Sequence, residues 1–202
     1  MAYRATKTAF RRLTALARGQ GGYFTAKQAA EVGYSYPHLV YHVNAGNFEH
    51  VGHGIYRLPE IPPTENDDLV RLSFWSRDRK DLPQAVASHQ TALLLHGLSD
   101  ILPTKTHLTV PLTFRKAPTM GVVIHRASLD SQDIDEREGF SVTTPLRTLI
   151  DVAADETISD EHLQRAVTES LERGLVRRSK LDSAIRKNPQ AKRLSKSLEA
   201  AS

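Results

Sequence analysis

The chain has no cysteine among its 202 residues. Disulfides, thiol nucleophiles and cysteine metal sites are therefore excluded, and the composition suits a reducing compartment. No run approaches the ~20 apolar residues of a membrane-spanning helix. The opening residues, Met1-Ala2-Tyr3-Arg4-Ala5-Thr6, lack the apolar core of a secretory signal. A soluble cytoplasmic protein without membrane contact is the expectation. The usual catalytic signatures are missing too. No Gly-x-x-x-x-Gly-Lys-Ser/Thr, Gly-x-Gly-x-x-Gly, His-Glu-x-x-His or Gly-x-Ser-x-Gly occurs. Neither an enzyme nor a cofactor is expected.

What is present is a small basic excess, unevenly spread. Lys and Arg number 27 against 23 acids, a net +4. Residues 1–58 hold seven bases and two acids (Glu31, Glu49), a net +5, whereas residues 59–68 hold four acids and no base. Residues 69–202 stand at +3. The excess is thus densest at the N-terminus, as contact with a phosphate backbone would need. A solvated basic face gives the same count, so charge alone leaves both readings open.

Patterning separates them. Residues 6–18 carry an apolar stripe of Phe10, Leu13, Leu16 and Ala17, with Lys7, Arg11, Arg12 and Arg18 off it. Gly19, Gly21 and Gly22 end this helix, and Tyr23-Phe24 reads as a short strand. Thr25 caps a second helix over 26–32. Gly33 turns the chain, and Ser35 caps a third helix over 36–45 with Pro37 in its first turn. Leu39, Val40 and Val43 are expected inward. From Asn47 to Leu58, apolar residues alternate around Gly52-His53-Gly54 as a tight hairpin. Helices followed by such a hairpin form a winged helix-turn-helix, whose commonest use is gripping duplex DNA.

The third helix is then the reading element. Ser35, Tyr36 and His38 stand at its N-terminal end, and Tyr41 and His42 are expected to face outward. Serine and neutral histidine exchange hydrogen bonds with base edges, and a tyrosine ring packs on a thymine methyl. Arg11, Arg12 and Lys27 are expected on phosphates, with the Thr25 hydroxyl beside them. Wing residues His50, His53 and Arg57 are expected at the flanking backbone or minor groove. His38 and His42 lie four apart at metal-binding spacing, but no third ligand accompanies them and no metal is expected. No Lys or Arg falls between Ser35 and Asn47. A protein-docking winged helix is therefore the alternative.

The acidic, Pro62-Pro63-containing stretch 59–68 reads as a linker and domain boundary. Beyond it, helices over 67–79, 89–96, the stretch after Thr144-Pro145, the stretch from Ser159 to Gly174, and 180–187 alternate with strands over 106–112, 122–127 and 140–143. The fold class is α+β, an N-terminal winged helix-turn-helix followed by a mixed α/β domain over 69–189. Residues 190–202 read as a disordered tail. His89, His96, His107, His125 and Asp151 are each expected as hydrogen-bonded structural residues, and the acid-rich run Asp130–Glu138 as a solvated loop.

Several segments resemble a known family. They are Thr25-Ala26-Lys27-Gln28-Ala29-Ala30-Glu31-Val32-Gly33, Leu39-Val40-Tyr41-His42-Val43-Asn44-Ala45-Gly46 and His53-Gly54-Ile55-Tyr56-Arg57-Leu58 in the first part. In the second they are Ala87-Ser88-His89-Gln90-Thr91-Ala92-Leu93-Leu94-Leu95-His96-Gly97-Leu98 and Val142-Thr143-Thr144-Pro145-Leu146-Arg147-Thr148-Leu149-Ile150-Asp151-Val152-Ala153. In this order they resemble the AbiEi-type antitoxins of type IV toxin–antitoxin (abortive infection) systems. The resemblance implies an autorepressor that binds repeated sequences in its own promoter. It also implies a C-terminal domain that neutralises a cognate nucleotidyltransferase-like toxin. A repressor of inverted repeats implies self-association on DNA. Arg173, Arg177, Arg178, Lys180, Arg186 and Lys187 are expected to form a basic surface that clamps DNA or meets the toxin. The alternative is an antitoxin or adaptor that acts by toxin contact with little DNA binding.

Overall fold

In a computed structural model, which describes residues 2–155, 158–188 and 192–200, helix α1 spans Ala2–Arg18. Its apolar stripe buries Leu13 and Ala17 completely. Contacts divide the chain into two units. One runs to Gln84 and includes Arg137–Phe140; the other comprises Ala85–Glu136 and the described residues from Ser141 onward.

In the first unit, strand β1 (Tyr23–Thr25) leads into helix α2 (Ala26–Glu31). The Thr25 cap is reciprocal. Thr25 Oγ1 accepts from the Gln28 amide at 3.1 Å, and Gln28 Oε1 accepts from the Thr25 amide at 2.9 Å. Helix α3 (Tyr36–Asn44) follows, then the wing strands β2 (Glu49–Gly52) and β3 (Ile55–Arg57). The sheet is antiparallel in the order β1-β3-β2. Gly54, at φ +67°, supplies the left-handed turn at the wing tip. Phe24 is fully buried between Phe48 at 5.1 Å and Tyr56 at 5.7 Å. The winged helix-turn-helix expected from the pattern is present.

The expected linker is not a free spacer. Helix α4 (Asp67–Ser76) belongs to the first unit. The Tyr23 hydroxyl donates to Asp67 Oδ2 at 2.8 Å, and the Tyr23 and Phe74 rings lie 5.7 Å apart. Arg77 Nη2 donates to Gln20 Oε1 at 2.9 Å. Asp67, which looks like a solvating acid in sequence, is the acceptor for a partner 44 positions away, which local pattern cannot show.

The second unit has a five-stranded mixed sheet. Its strands are β4 (Val86–Ala87), β5 (Thr106–Val110), β6 (Val122–Arg126), β7 (Ile134–Glu136) and β8 (Ser141–Thr143), in the order β6-β5-β4-β8-β7. β5/β6 and β4/β8 are parallel, and the other pairs antiparallel. The helices are α5 (His89–Leu95), α6 (Pro145–Ala154), α7 (Asp160–Glu172), α8 (Arg178–Lys187) and α9 (Lys192–Ala200). Thr144 and Ser159 cap α6 and α7 as expected, accepting from the amides of Arg147 and His162. Leu149, Leu163, Ala166, Val167 and Leu181 share one apolar core.

Two expectations fail here. The acid-rich run is not a loose loop. A 3₁₀ turn (Ser131–Asp133) and β7 order it, and Asp133 pairs with Arg147 at 3.1 Å. Arg147 also holds Asp151 at 2.8 Å, yet burial pushes the Asp151 carboxyl up to about 6. The tail is not disordered over 192–200, where α9 buries Leu194 and Leu198 in the same core. Two leucines four apart in a polar run look weak in sequence, but they suffice once neighbouring helices offer a groove. Gln190, Ala191, Ala201 and Ser202 lie outside the described residues. Among the described residues no helix is long and apolar enough to cross a membrane.

Two substitutions test these assignments by urea unfolding of the whole chain. Leu194→Ala is expected to cost about 2–4 kcal/mol by opening a cavity; a tail without structure would cost nothing. Tyr23→Phe, which leaves the Asp67 carboxylate without its donor, is expected to cost about 1–2 kcal/mol.

Candidate nucleic-acid interface

The outward face of α3 follows from the packing of its inward one. Leu39 is 1% exposed, and Val43 packs against the same apolar cluster. At 100° per residue this leaves His38, Val40, Tyr41, Asn44 and Ala45 off the inward stripe. Tyr36, three residues before Leu39, shares the stripe's side but opens the helix, and all six are exposed. Tyr36 and Tyr41 are 70% and 66% exposed, unusual for rings that size. Ser35 is exposed at the N-cap, and its side chain makes no capping hydrogen bond. The hydroxyl is thus not used by its own helix.

Val40, expected inward, is 40% exposed. Its apolar neighbours in sequence suggested a buried run, but Leu39 and Val43 alone define the stripe. Val40 and Asn44 were missed as surface candidates for that reason. A valine methyl suits a thymine methyl and an asparagine amide suits adenine.

His42 does not face outward freely. Its ring stacks on Phe48 at 4.7 Å and meets Tyr34 at 5.4 Å, and Asn47 Nδ2 lies 3.2 Å from its Nδ1. Burial lowers its pKa, with a smaller push from His38. Helix phase put His42 on the border of the two faces, and Phe48, six residues on, draws it to the core.

Two further candidates are structural. Thr25, 7% exposed, spends its hydroxyl on the helix cap and on Asp81, to whose Oδ2 it donates at 2.6 Å. Arg57, 8% exposed, pairs with Glu49 at 3.4 Å, donates to the Ile61 carbonyl and lies over the Tyr23 ring. Neither is offered to a phosphate. Arg11 and Arg12 are exposed on α1, as are His50 and His53 on the wing, with the His50 ring 5.2 Å from Tyr56. Lys27 is exposed, its Nζ donating to the Lys80 carbonyl at 3.3 Å.

In the second unit, Arg177, Arg178, Lys180, Arg186 and Lys187 are exposed on or beside α8. Arg178 donates to the Leu198 carbonyl. Arg173, after α7, is exposed but holds Gly97 O at 2.9 Å and Glu169 at 3.3 Å. Among the described residues the His38–His42 pair gains no third metal ligand. The only metal-compatible group among the described residues is His89, His125 and Asp155 in the second unit.

Comparison with known proteins agrees with this division. A family model described as a transcriptional regulator, AbiEi antitoxin, matches residues 11–59, and one described as the AbiEi antitoxin C-terminal domain matches residues 85–199. The chain belongs to the AbiEi antitoxin family. The first match of this AbiEi chain spans the winged helix-turn-helix, and the second spans the sheet and the helices through most of α9. A crystal structure of the RV2827C protein from Mycobacterium tuberculosis aligns over 96% of this chain and 81% of that one, at 16% identity and a TM-score of 0.48. No curated protein matches this AbiEi chain.

The two neighbouring α3 residues should behave oppositely. Tyr41→Ala is expected to change folding stability by less than about 0.5 kcal/mol, and His42→Ala to cost about 1–3 kcal/mol. Because burial depresses the His42 pKa in the folded state, its neutral form stabilises the fold. That contribution is full above the unfolded value of about 6.5 and is lost as pH falls below it. Chemical denaturation between pH 7.5 and 5.5 should therefore show an acid destabilisation that is smaller in His42→Ala.

Proposed function

We propose that this chain is an antitoxin that represses its own promoter through the winged helix-turn-helix and neutralises a cognate nucleotidyltransferase-like toxin through its second unit. The observation that carries the reading is the solvent face of α3. The exposed Tyr36, His38, Tyr41 and Asn44, with the Val40 methyls among them, form a surface of hydrogen-bonding, ring and apolar groups that no structural role in the unit requires. Ser35 extends it at the helix start. Arg11, Arg12 and Lys27 supply phosphate contacts, and His50 and His53 extend the contact along the wing. Repressor action on inverted repeats places two copies on one operator.

Because α3 has no Lys or Arg, base reading here rests on neutral groups. Affinity then depends on the flanking cations and is steeply salt-dependent. The same lack favours the second reading, a winged helix that docks on protein. For the toxin side, the supporting features are the exposed bases of α8 and the exposed Leu102, Leu112 and Met120 in the loops around β5.

Fluorescence anisotropy with the chain's own upstream DNA, against scrambled DNA and across a salt series, is the test. Selective binding is expected, with Tyr41→Ala lowering affinity about 5- to 100-fold, the range of one lost base contact. Arg11→Ala combined with Arg12→Ala should flatten the log–log salt slope by about 2. Equal affinity for scrambled DNA would overturn the repressor and favour the docking reading.

A further inference from the structure

Three histidines distant in sequence meet in the second unit. His89 opens α5, His107 lies on β5 and His125 on β6. β5 and β6 are parallel with Thr109 opposite His125, so His107 and His125 are diagonal neighbours on one face of the sheet. His107 Nδ1 and His125 Nε2 are 3.0 Å apart. The His89 ring lies 3.5 Å from that of His125, nearly parallel at 13°. Asp155, the residue that ends α6, completes the group. His89, His125 and Asp155 each offer a ligand atom, all within 4.8 Å of one another.

The arrangement is poor as packing. Three imidazoles and a carboxylate share a space that aliphatic side chains would fill at lower desolvation cost. His89 is also held at φ +52°, a left-handed conformation uncommon outside glycine, and such backbone outliers cluster at functional positions. Its support is ordered as well. His89 Nδ1 is 3.0 Å from Ser88 Oγ, which already accepts from the Thr109 hydroxyl at 2.8 Å. The tautomer that donates Nδ1–H to Ser88 leaves Nε2 with its lone pair for another partner. Such outer support is what ligating histidines have in metal sites.

We propose that His89, His125 and Asp155 bind one divalent transition-metal ion of the zinc type, with His107 positioning His125. Two imidazole nitrogens and one carboxylate oxygen suit zinc and its neighbours rather than calcium or magnesium, which prefer oxygen alone. Two nitrogens each ~2.1 Å from a tetrahedral ion lie ~3.4 Å apart. Each lone pair lies in its own ring plane, so the stacked His89 and His125 rings, 13° from parallel, must turn apart as well as draw closer at their nitrogens to share one ion. A fourth position is left for water or a partner's ligand. His89 is buried while His125 and Asp155 are half-exposed, which gives the ion an entry path. The ion would join α5, β6 and the end of α6.

The test is calorimetric titration of the metal-free full chain with zinc, with a cobalt(II) titration followed by visible absorption. One equivalent is expected to bind and to raise the melting temperature. His125→Gln and Asp155→Asn should each weaken zinc at least tenfold and alter the cobalt spectrum, with His107→Gln weaker by about tenfold. His38→Gln and His53→Gln, on the other unit, should leave the affinity unchanged. Absence of stoichiometric binding, or binding that survives both His125→Gln and Asp155→Asn, would overturn the site. Should His125→Gln unfold without metal, Asp155→Asn, which keeps size and exposure, decides alone.

Discussion

The burial of Phe24 is the constraint on which the exposed face of α3 depends. Its ring, at the centre of the first unit, contacts Phe48 before the wing and Tyr56 within it. Phe48 in turn takes Tyr34 and His42. Burying a ring of this size is worth roughly 2–3 kcal/mol, and each aromatic pair adds about 0.5–1.5 kcal/mol. These contacts fix the rotation of α3 about its axis. Rotation decides which side chains are solvent-facing, so the core sets the exposed surface of the helix. A helix turned by one residue would bury Val40 and lose the Leu39 contact.

The same economy separates exposed residues from framework residues of identical type. Thr25 and Arg57 have the chemistry of phosphate ligands, yet each is consumed by internal partners. Arg57 stands directly across the antiparallel pair from Glu49 and is capped by the Ile61 carbonyl. A buried guanidinium needs such partners, because breaking one buried pair leaves an uncompensated charge at a cost of about 3–5 kcal/mol. The exposed Arg11, Arg12 and Lys27 carry no comparable internal obligation. Exposed and framework roles are thus divided among like residues by burial rather than by chemistry.

In the second unit the mixed sheet does the equivalent work. Parallel pairing of β5 with β6 and of β4 with β8 needs long crossovers, and these bring residues 89, 107, 125 and 155 to one place. Burial lowers the pKa of all three histidines, that of His89 to about 3, so near neutral pH they are uncharged. The Arg147–Asp133–Asp151 cluster likewise joins the start of α6 to the turn before β7.

Sequence by itself determined the elements that rest on local chemistry. The Thr25, Thr144 and Ser159 caps and the Gly-turned wing are legible because capping and turn geometry involve residues only three or four apart. The apolar stripe of α1 and the winged helix-turn-helix class follow from them, and the order of the motifs gave the family. Tertiary structure alone decided the rest. Whether His42 faces solvent or Phe48, whether Asp67 belongs to a linker or a core partner, whether Leu194 and Leu198 find a groove, and whether His89, His107, His125 and Asp155 meet all depend on tertiary contacts. Such contacts leave no periodicity in the chain, since each depends on the burial that the whole fold creates.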